Sequence, residues 1–454
     1  MRFIVRGLAS GVFAAILVVL CAVPAWADHD RPNVILILAE DLGFGDLPRT
    51  GTSHAGTPNI EQLMRGGIIY TQFYLNATAS SPSRVAFMTG QFPGKFGIHK
   101  DFGNSAKGVS FLDPAIMTLT QALKNKGYTT AHFGKWHLGH ARGAPRAPTP
   151  AAYGIDVHKT TLSTGLPLPD ERSPHFMALS SHIIANEAIA FVEANRTRPF
   201  YMNLWMLLPD APLDHTEPQL KQYAKMSPSV LRDYYVSISE MDDAIGLLLD
   251  RLYGLFLARR TIIMVASATG PVHPGLSGPF RGGKTSLYEG GVRVPFVIHW
   301  RGHIPRNLVD NDSVISAVDL FPTICSWAGV DLSQQRSLDG EDVSDMFLSG
   351  AVRARTKPLM WQWRFRTKGH VLDRSPILAI RDGPWKLLMN TDGSRQELFS
   401  IPVDPTELNN VARRLPQMAD RLAHDVLAWS QTLPDGPIHA RAGTNDYPWP
   451  APKR

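Results

Sequence analysis

The sequence predicts an α/β protein: a mostly parallel central sheet flanked by helices, followed by a smaller C-terminal α+β subdomain that carries an antiparallel sheet. Three observations carry this. Continuous apolar, β-rich runs stop abruptly at polar or small residues, which is the pattern of parallel strands buried on both faces. Stretches of helical period lie between those runs, and strands alternating with helices imply a parallel sheet. After about residue 350 the texture changes to short strands around a tight turn, the signature of an antiparallel hairpin.

Taken in order, Arg2 and Arg6 precede an unbroken apolar stretch from Val12 to Val23 that closes on Ala25-Trp26-Ala27. The run is short for a bilayer span and ends in small-x-small cleavage residues, so it reads as a secretory signal peptide rather than a membrane anchor. Residues 1–27 are thus expected to be removed, the mature chain to begin near Asp28, and the protein to be periplasmic or secreted with no membrane segment after cleavage. The first strand, Val34-Ile35-Leu36-Ile37-Leu38-Ala39, stops at Glu40-Asp41. Phe200-Tyr201-Met202-Asn203-Leu204-Trp205-Met206 leads to Pro209-Asp210, and Thr261-Ile262-Ile263-Met264-Val265-Ala266 leads to Ser267-Ala268-Thr269-Gly270. Ile184, Ala188, Phe191 and Val192 fit one helical face, as do Ile238, Met241, Ile245, Leu248 and Leu249. Segments Ala141–Pro150 and Leu162–Pro174 are rich in Pro and Gly and are expected as surface loops that rim a pocket. Ile377-Leu378-Ala379-Ile380, Trp385-Lys386-Leu387-Leu388 and a helical stretch from Val411 to Leu433 make up the C-terminal unit. The expected division is therefore 28–350 for the larger α/β domain and 351–454 for the subdomain and a Pro-rich tail.

Composition narrows the function. The 454 residues carry 46 Lys plus Arg against 40 Asp plus Glu and are 44% hydrophobic, a globular balance that excludes collagen, coiled coil and a disordered chain. A charge of +6 without any block of five basic residues does not imply nucleic acid, while an anionic ligand stays open. Beyond the signal segment only Cys325 remains, so no internal disulfide is expected and Cys325 reads as a buried thiol. In open parallel sheets ligands bind beyond the carboxyl ends of the strands, so the polar residues just after each apolar run are where a site is expected.

Five segments there assemble into a pattern: Arg31-Pro32-Asn33 through Glu40-Asp41-Leu42-Gly43; Ser80-Ser81-Pro82-Ser83-Arg84 with Thr89-Gly90; Gly134-Lys135-Trp136-His137-Leu138-Gly139; Arg281-Gly282-Gly283-Lys284; and Tyr288-Glu289-Gly290-Gly291-Val292-Arg293-Val294-Pro295. In this order and spacing, together with Asp319-Leu320-Phe321-Pro322-Thr323, Arg381-Asp382-Gly383-Pro384-Trp385-Lys386 and Asp404-Pro405, the chain resembles the type I sulfatase family of the alkaline phosphatase superfamily. The resemblance covers nearly all of the mature chain and implies an alkaline phosphatase-like fold. It also implies a sulfuric ester hydrolase acting on a sulfated small molecule or glycan. In that family the first residue of the Cys/Ser-x-Pro-Ser-Arg motif is oxidised to formylglycine, whose hydrate attacks the sulfate ester; here that residue is Ser80. A serine there resembles the branch matured by a formylglycine-generating enzyme before export. An unmodified hydroxyl is a poor nucleophile at neutral pH, so turnover depends on that modification. The other reading of Ser80 is an ordinary serine opening a helix.

Arg84, one helical turn beyond Ser80, can aim its fork back at that residue, and Lys135 and His137, two apart, can face one pocket from an extended segment. By resemblance Lys135 holds sulfate oxygens, His137 is the general base, and Lys284 contacts the sulfate and the leaving oxygen. The glycines before both lysines suit close backbone approach to an anion. The family also holds calcium or magnesium, for which the resemblance points to Glu40, Asp41 and Ser80. At the second metal strand Ala268 and Thr269 stand where the resemblance predicts Asp and Asn, which removes two of four protein ligands and should weaken binding. Thr269 and Asp210 are the residues that could replace them. Asp210, in Pro209-Asp210-Ala211-Pro212, also occupies the place where the family uses a His near the leaving group, which makes it a substrate-side residue. The alternative functions are a catalytically impaired sulfatase-fold protein that binds sulfated or other anionic ligands through Arg84, Lys135, His137 and Lys284, and a related phosphoesterase.

Overall fold

The structure, a computed structural model, describes residues 31–51, 54–102, 109–139, 147–161, 167–169, 171, 176–207, 215, 217–334, 337–367 and 369–444. The expected signal segment, Asp210, most of the two Pro- and Gly-rich loops and the last ten residues lie outside that set.

Nine strands form the central sheet: β1 (Asn33–Ala39), β2 (Ile68–Tyr74), β3 (Thr129–Lys135), β4 (Val157–Thr161), β5 (Phe200–Trp205), β6 (Thr261–Ser267), β7 (Arg293–Trp300), β8 (Leu308–Asp310) and β9 (Ile315–Ser316). Their order is β4-β3-β5-β1-β6-β7-β2-β8, with β9 continuing beside β2, and β7 alone runs against the rest. The three runs read as strands are β1, β5 and β6, side by side at the centre and buried throughout. β1 shows why such a strand has no polar face. Val34, Leu36 and Leu38 enter one apolar cluster while Ile35, Ile37 and Ala39 enter the other, because successive side chains point to opposite faces. Helices Phe176–Ala194 and Ser229–Gly254 cover the second face, and the residues predicted to line them, Ile184, Ala188, Phe191, Ile238, Met241 and Ile245, are all in that cluster. The other face receives helices Ser80–Thr89 and Leu320–Trp327, the latter burying Cys325 as a free thiol. Burial pushes that thiol up to about 12, so it is inert.

A separate antiparallel sheet follows: β10 (Leu359–Gln362), β11 (Leu378–Asp382), β12 (Trp385–Met389) and β13 (Glu397–Ser400), in sequential order. Gly383-Pro384 makes the two-residue turn between β11 and β12, with Gly383 at φ 54°, and helix Pro416–Gln431 packs Leu422 and Val426 into the core beside them. The apolar cluster on this side runs through both sheets without a break.

Where the two sheets meet lies a buried ionic cluster that no motif announces. Glu289, wholly buried, accepts from Tyr74 at 2.6 Å and pairs with Arg293 at 3.2 Å and Lys386 at 2.9 Å. Lys386 also pairs with Glu407 at 2.9 Å, and Glu407 accepts from the Glu289 amide at 2.6 Å. Arg381 completes it with hydrogen bonds to Tyr74 and Gln72. Charges taken this far from water persist only when paired, and this set holds β12 of the small sheet against the Glu289-Gly290-Gly291 segment that leads into β7.

Candidate active site

Parallel strands in register end together, and the registers Leu38↔Trp205, Gly134↔Trp205 and Ala39↔Ser267 bring the segments after β1, β3 and β6 to one edge. Helix Ser80–Thr89 starts at the same edge, and the Arg281–Ser286 loop closes over it. Gly134 has φ 104° and lies so close to β5 that a Cβ would come within 1.8 Å of the Trp205 carbonyl, which is why glycine precedes Lys135. Three non-glycine residues of the site, Asp41, His137 and Thr285, also have positive φ, of 57°, 53° and 73°. Such strain persists only where the surroundings over-determine it, and it gathers at functional sites.

Ser80 is buried at the N-terminus of its helix, 1% exposed. Its Oγ lies 3.0 Å from His137 Nδ1 and receives a hydrogen bond from Arg84 Nη1, one turn on. The other arm of the Arg84 fork meets Glu40 Oε2 at 2.7 Å, and the guanidinium lies 5.2 Å over the Trp205 ring. Lys135 Nζ is 3.2 Å and Lys284 Nζ 3.9 Å from Glu40 Oε1. Lys284 Nζ is also 2.6 Å from Asp41 Oδ1, and the Thr269 hydroxyl donates to that same oxygen at 2.5 Å. Glu40, Asp41, Ser80, Arg84, Lys135, His137, Lys284, Ala268 and Thr269 thus come together as one cluster, and Asp210 alone of the predicted site residues lies outside the described residues.

The electrostatics follow from burial and charge. Burial works to raise the Glu40 carboxyl, but Lys135, Arg84 and Lys284 outweigh it and hold it well below the usual range. Asp41 is pushed up by burial and by Glu40 beside it, against Lys284 and Thr269. Burial opposes the charge of Lys284, yet Glu40 and Asp41 prevail and hold its ammonium above the usual lysine range. His137 falls to about 4, chiefly through burial and further through Lys135 and Arg84, so the imidazole is neutral at neutral pH and free to accept a proton. Beneath them His132, held neutral by burial, sits edge-on to Trp136 and Trp205 at 5.0 and 4.6 Å.

A cavity of about 1030 Å³ opens above Asp41, Ala79 and Lys284. Its rim carries Lys100 and Asp101 from the segment after helix Ser80–Thr89 and Trp363, Phe365 and Arg366 from the segment after β10. Sequence reasoning missed these. Asp101, whose carboxylate accepts from the Ser81 amide at 2.7 Å, lies in no motif, whereas Trp205 was visible as the last buried aromatic before a strand end.

The calcium or magnesium expected from the resemblance does not fit this donor set. Glu40 Oε2 is taken by Arg84, Asp41 Oδ1 by Lys284 and Thr269, and Ser80 Oγ by Arg84 and His137. Glu40 Oε1, buried without a hydrogen bond, faces two ammonium groups. Ala268 has no oxygen donor, and the Thr269 hydroxyl is engaged with Asp41 both ways, donating to Oδ1 and accepting from the amide. Calcium needs ~6–8 oxygens, and three cations this close repel a fourth. Among the described residues no group of three or more His, Cys, Asp or Glu side chains is placed to hold a metal ion. In this arrangement Glu40 and Asp41 hold cationic side chains.

Comparison with known proteins points the same way as the motifs. The Sulfatase family pattern matches residues 32–330, and the pattern described as N-sulphoglucosamine sulphohydrolase, C-terminal, matches 282–427. Arylsulfatase A of Homo sapiens is 30% identical over 402 residues, 80% of this chain and 76% of the relative. N-acetylgalactosamine-6-sulfatase of Mus musculus is 29% identical over 419 residues, covering 84% and 76%. Among solved structures, Ps i-CgsB in complex with k-i-k-neocarrahexaose superposes with a TM-score of 0.78 at 25% identity, over 91% of this chain and 96% of that one.

Proposed function

The chain belongs to the type I sulfatase family, and from that premise we propose that it is an exported hydrolase that cleaves the sulfate ester of a small molecule or glycan at Ser80 after oxidation of that residue to formylglycine. The observation that carries this reading is the convergence of His137 and Arg84 on the Ser80 side chain, with Lys135 and Lys284 on the Glu40 carboxylate beside it. Sulfatases generally use formylglycine and a divalent metal. The modified side chain supplies a hydrated aldehyde, a nucleophile that can also release sulfate afterwards, which a serine hydroxyl cannot do.

The chain's own residues supply the rest. His137 Nδ1, neutral and 3.0 Å from Ser80 Oγ, takes up a proton at that position. Arg84 orients the Ser80 side chain and is itself fixed by Glu40 and the face of Trp205. Lys135 and Lys284 turn positive charge toward the place where the tetrahedral anion sits, and their carboxylate partners preorganise them so that little reorganisation is needed as charge develops. Asp210 is assigned to the leaving-group side. The cavity above, with aromatic and cationic residues at its rim, supports a ring-bearing sulfated substrate. That the solved relative was crystallised with k-i-k-neocarrahexaose supports a glycan. The division of the chain near residue 350, the signal segment 1–27 and maturation before export belong to the same proposal.

The test is co-expression with a serine-type formylglycine-generating enzyme, mass spectrometry of the Ser80 peptide for loss of two hydrogens, and release of a chromogenic aryl alcohol from its sulfate ester. Modified parent should turn over and Ser80→Ala should not. Equal turnover by Ser80→Ala would refute the assignment. The spent donors of the site favour one second reading, an anion-binding sulfatase-fold protein or related phosphoesterase. Modified protein that binds the aryl sulfate without cleaving it, or that cleaves only the phosphate ester, would establish it.

A further inference from the structure

We propose that the ammonium of Lys284 is the resident cation of this site, held between the carboxylates of Glu40 and Asp41, and that the site takes up no divalent metal. The inference deepens the sulfatase reading, since it names what supplies the positive charge next to the reacting group. Lys284 Nζ stands 2.6 Å from Asp41 Oδ1 and 3.9 Å from Glu40 Oε1, facing both of the carboxylates that follow β1. Its side chain is 21% exposed and lines the cavity, so the same ammonium faces an incoming anion. An ammonium has three donors, and one on Asp41 leaves others for sulfate oxygens.

The loop is built to put it there. The Lys284 amide donates to the Pro271 carbonyl at 2.9 Å, and a Cβ at Gly283 would meet that same carbonyl at 2.8 Å. Gly282 at φ 85° and Thr285 at φ 73° bend the chain on either side, and the Thr285 amide is tied to the Thr78 carbonyl at 3.1 Å. Pro271 belongs to the segment after β6 that lacks the two metal donors, so the strand without those ligands is the strand that anchors the lysine. At that segment Thr269 closes a two-way contact with Asp41: its hydroxyl donates at 2.5 Å and accepts from the Asp41 amide at 3.1 Å. Ala268, fully buried, fills the remaining place with a methyl group.

Arg84, Lys135 and Lys284 already stand against Glu40 and Asp41 at ion-pairing distance, with Asp101 as a further carboxylate on the cavity rim. A divalent ion would have to enter beside three cationic side chains in a largely buried site, where Coulomb terms are less screened than in water.

The experiment uses the full mature chain. Parent protein is dialysed against chelator, its calcium and magnesium are counted by elemental analysis, and its thermal midpoint and calorimetric titration are recorded with calcium chloride. The expected result is no retained metal, no heat of binding and no midpoint shift. Lys284→Ala then uncovers Glu40 and Asp41, and its lowered midpoint should rise again with calcium, whereas Lys284→Arg should remain indifferent to it. About one calcium per chain in the parent, with a midpoint that falls on chelation, would overturn the proposal. So would calcium that is retained by the parent and released by Asp210→Asn, which would make Asp210 the missing ligand. A folded Lys284→Ala that ignores calcium would also count against it. If that variant does not fold, the parent's metal content and chelator response decide alone. These readouts do not involve turnover, so a failure to hydrolyse aryl sulfate would refute the sulfatase reading and leave this result standing.

Discussion

Replacing His137 with glutamine should flatten part of the acid side of the protein's stability profile. The imidazole ordinarily titrates at 6.5 and is pushed to about 4 here, by burial first and then by Lys135 and Arg84, with Asp101 and Glu40 opposing. A folded-state value below the unfolded one means that the unfolded chain binds the extra proton between the two. The stabilising difference is therefore present above about pH 6.5 and is lost as pH falls toward 4. At about 1.4 kcal/mol per unit the whole window is worth ~3 kcal/mol, and the step from pH 7 to pH 5 about 2 kcal/mol. Glutamine keeps a hydrogen-bonding group near Ser80 Oγ and does not titrate. Denaturant unfolding at the two pH values should show the parent losing ~2 kcal/mol more than His137→Gln. His99 and His299, also pushed to about 4 by burial, are common to both proteins and cancel in the difference. A ring-proton titration of the parent should place His137 near 4. Equal losses in the two proteins together with a midpoint near 6.5 would refute the reasoning. In modified protein the same substitution should slow aryl sulfate turnover by about 10²–10⁴-fold if His137 is the base.

Other perturbations test the supports of the site. Lys386→Met leaves Glu289 and Glu407 buried without their shared cation and should cost about 3–5 kcal/mol in unfolding free energy, measured by denaturant titration; a loss below about 1 kcal/mol would show that the cluster is not a structural tie. Gly134→Ala drives a Cβ to 1.8 Å from the Trp205 carbonyl at φ 104°, so it should destabilise by about 2–4 kcal/mol and weaken aryl sulfate binding by displacing Lys135; unchanged stability would contradict the close approach. Ala268→Asp with Thr269→Asn returns two oxygen donors and frees Asp41 from the threonine hydroxyl. Calcium at about 100 times its dissociation constant should then stabilise that variant by about 2.7 kcal/mol, read as a thermal midpoint shift that the parent lacks.

The central strands and the site that follows them were legible in the sequence because a parallel strand covered on both faces must be apolar along its length. Its polar exit is therefore conspicuous: Glu40-Asp41 after Ala39, and Ser267-Ala268-Thr269 after Ala266. The helical faces through Ile184 and Ile238 and the hairpin at Gly383-Pro384 were legible for the same reason, since period and turn chemistry are local. β2, β7 and the edge strands escaped, because nothing local distinguishes a strand that pairs with partners far along the chain. Partner choice among the charges belongs entirely to the tertiary structure. Lys284 lies 243 residues from the Asp41 it grips, and Lys386 lies 97 from Glu289. Residue types near strand ends identify a site for an anion, but which carboxylate meets a lysine depends on strand register and on loops that reach ångström distances only after the sheet has formed. Coulomb energies in a buried cluster change steeply over those distances, so residue types alone do not say which charges pair; here the Lys284 amide on the Pro271 carbonyl, with Gly283 packed against it, sets that ammonium on Asp41.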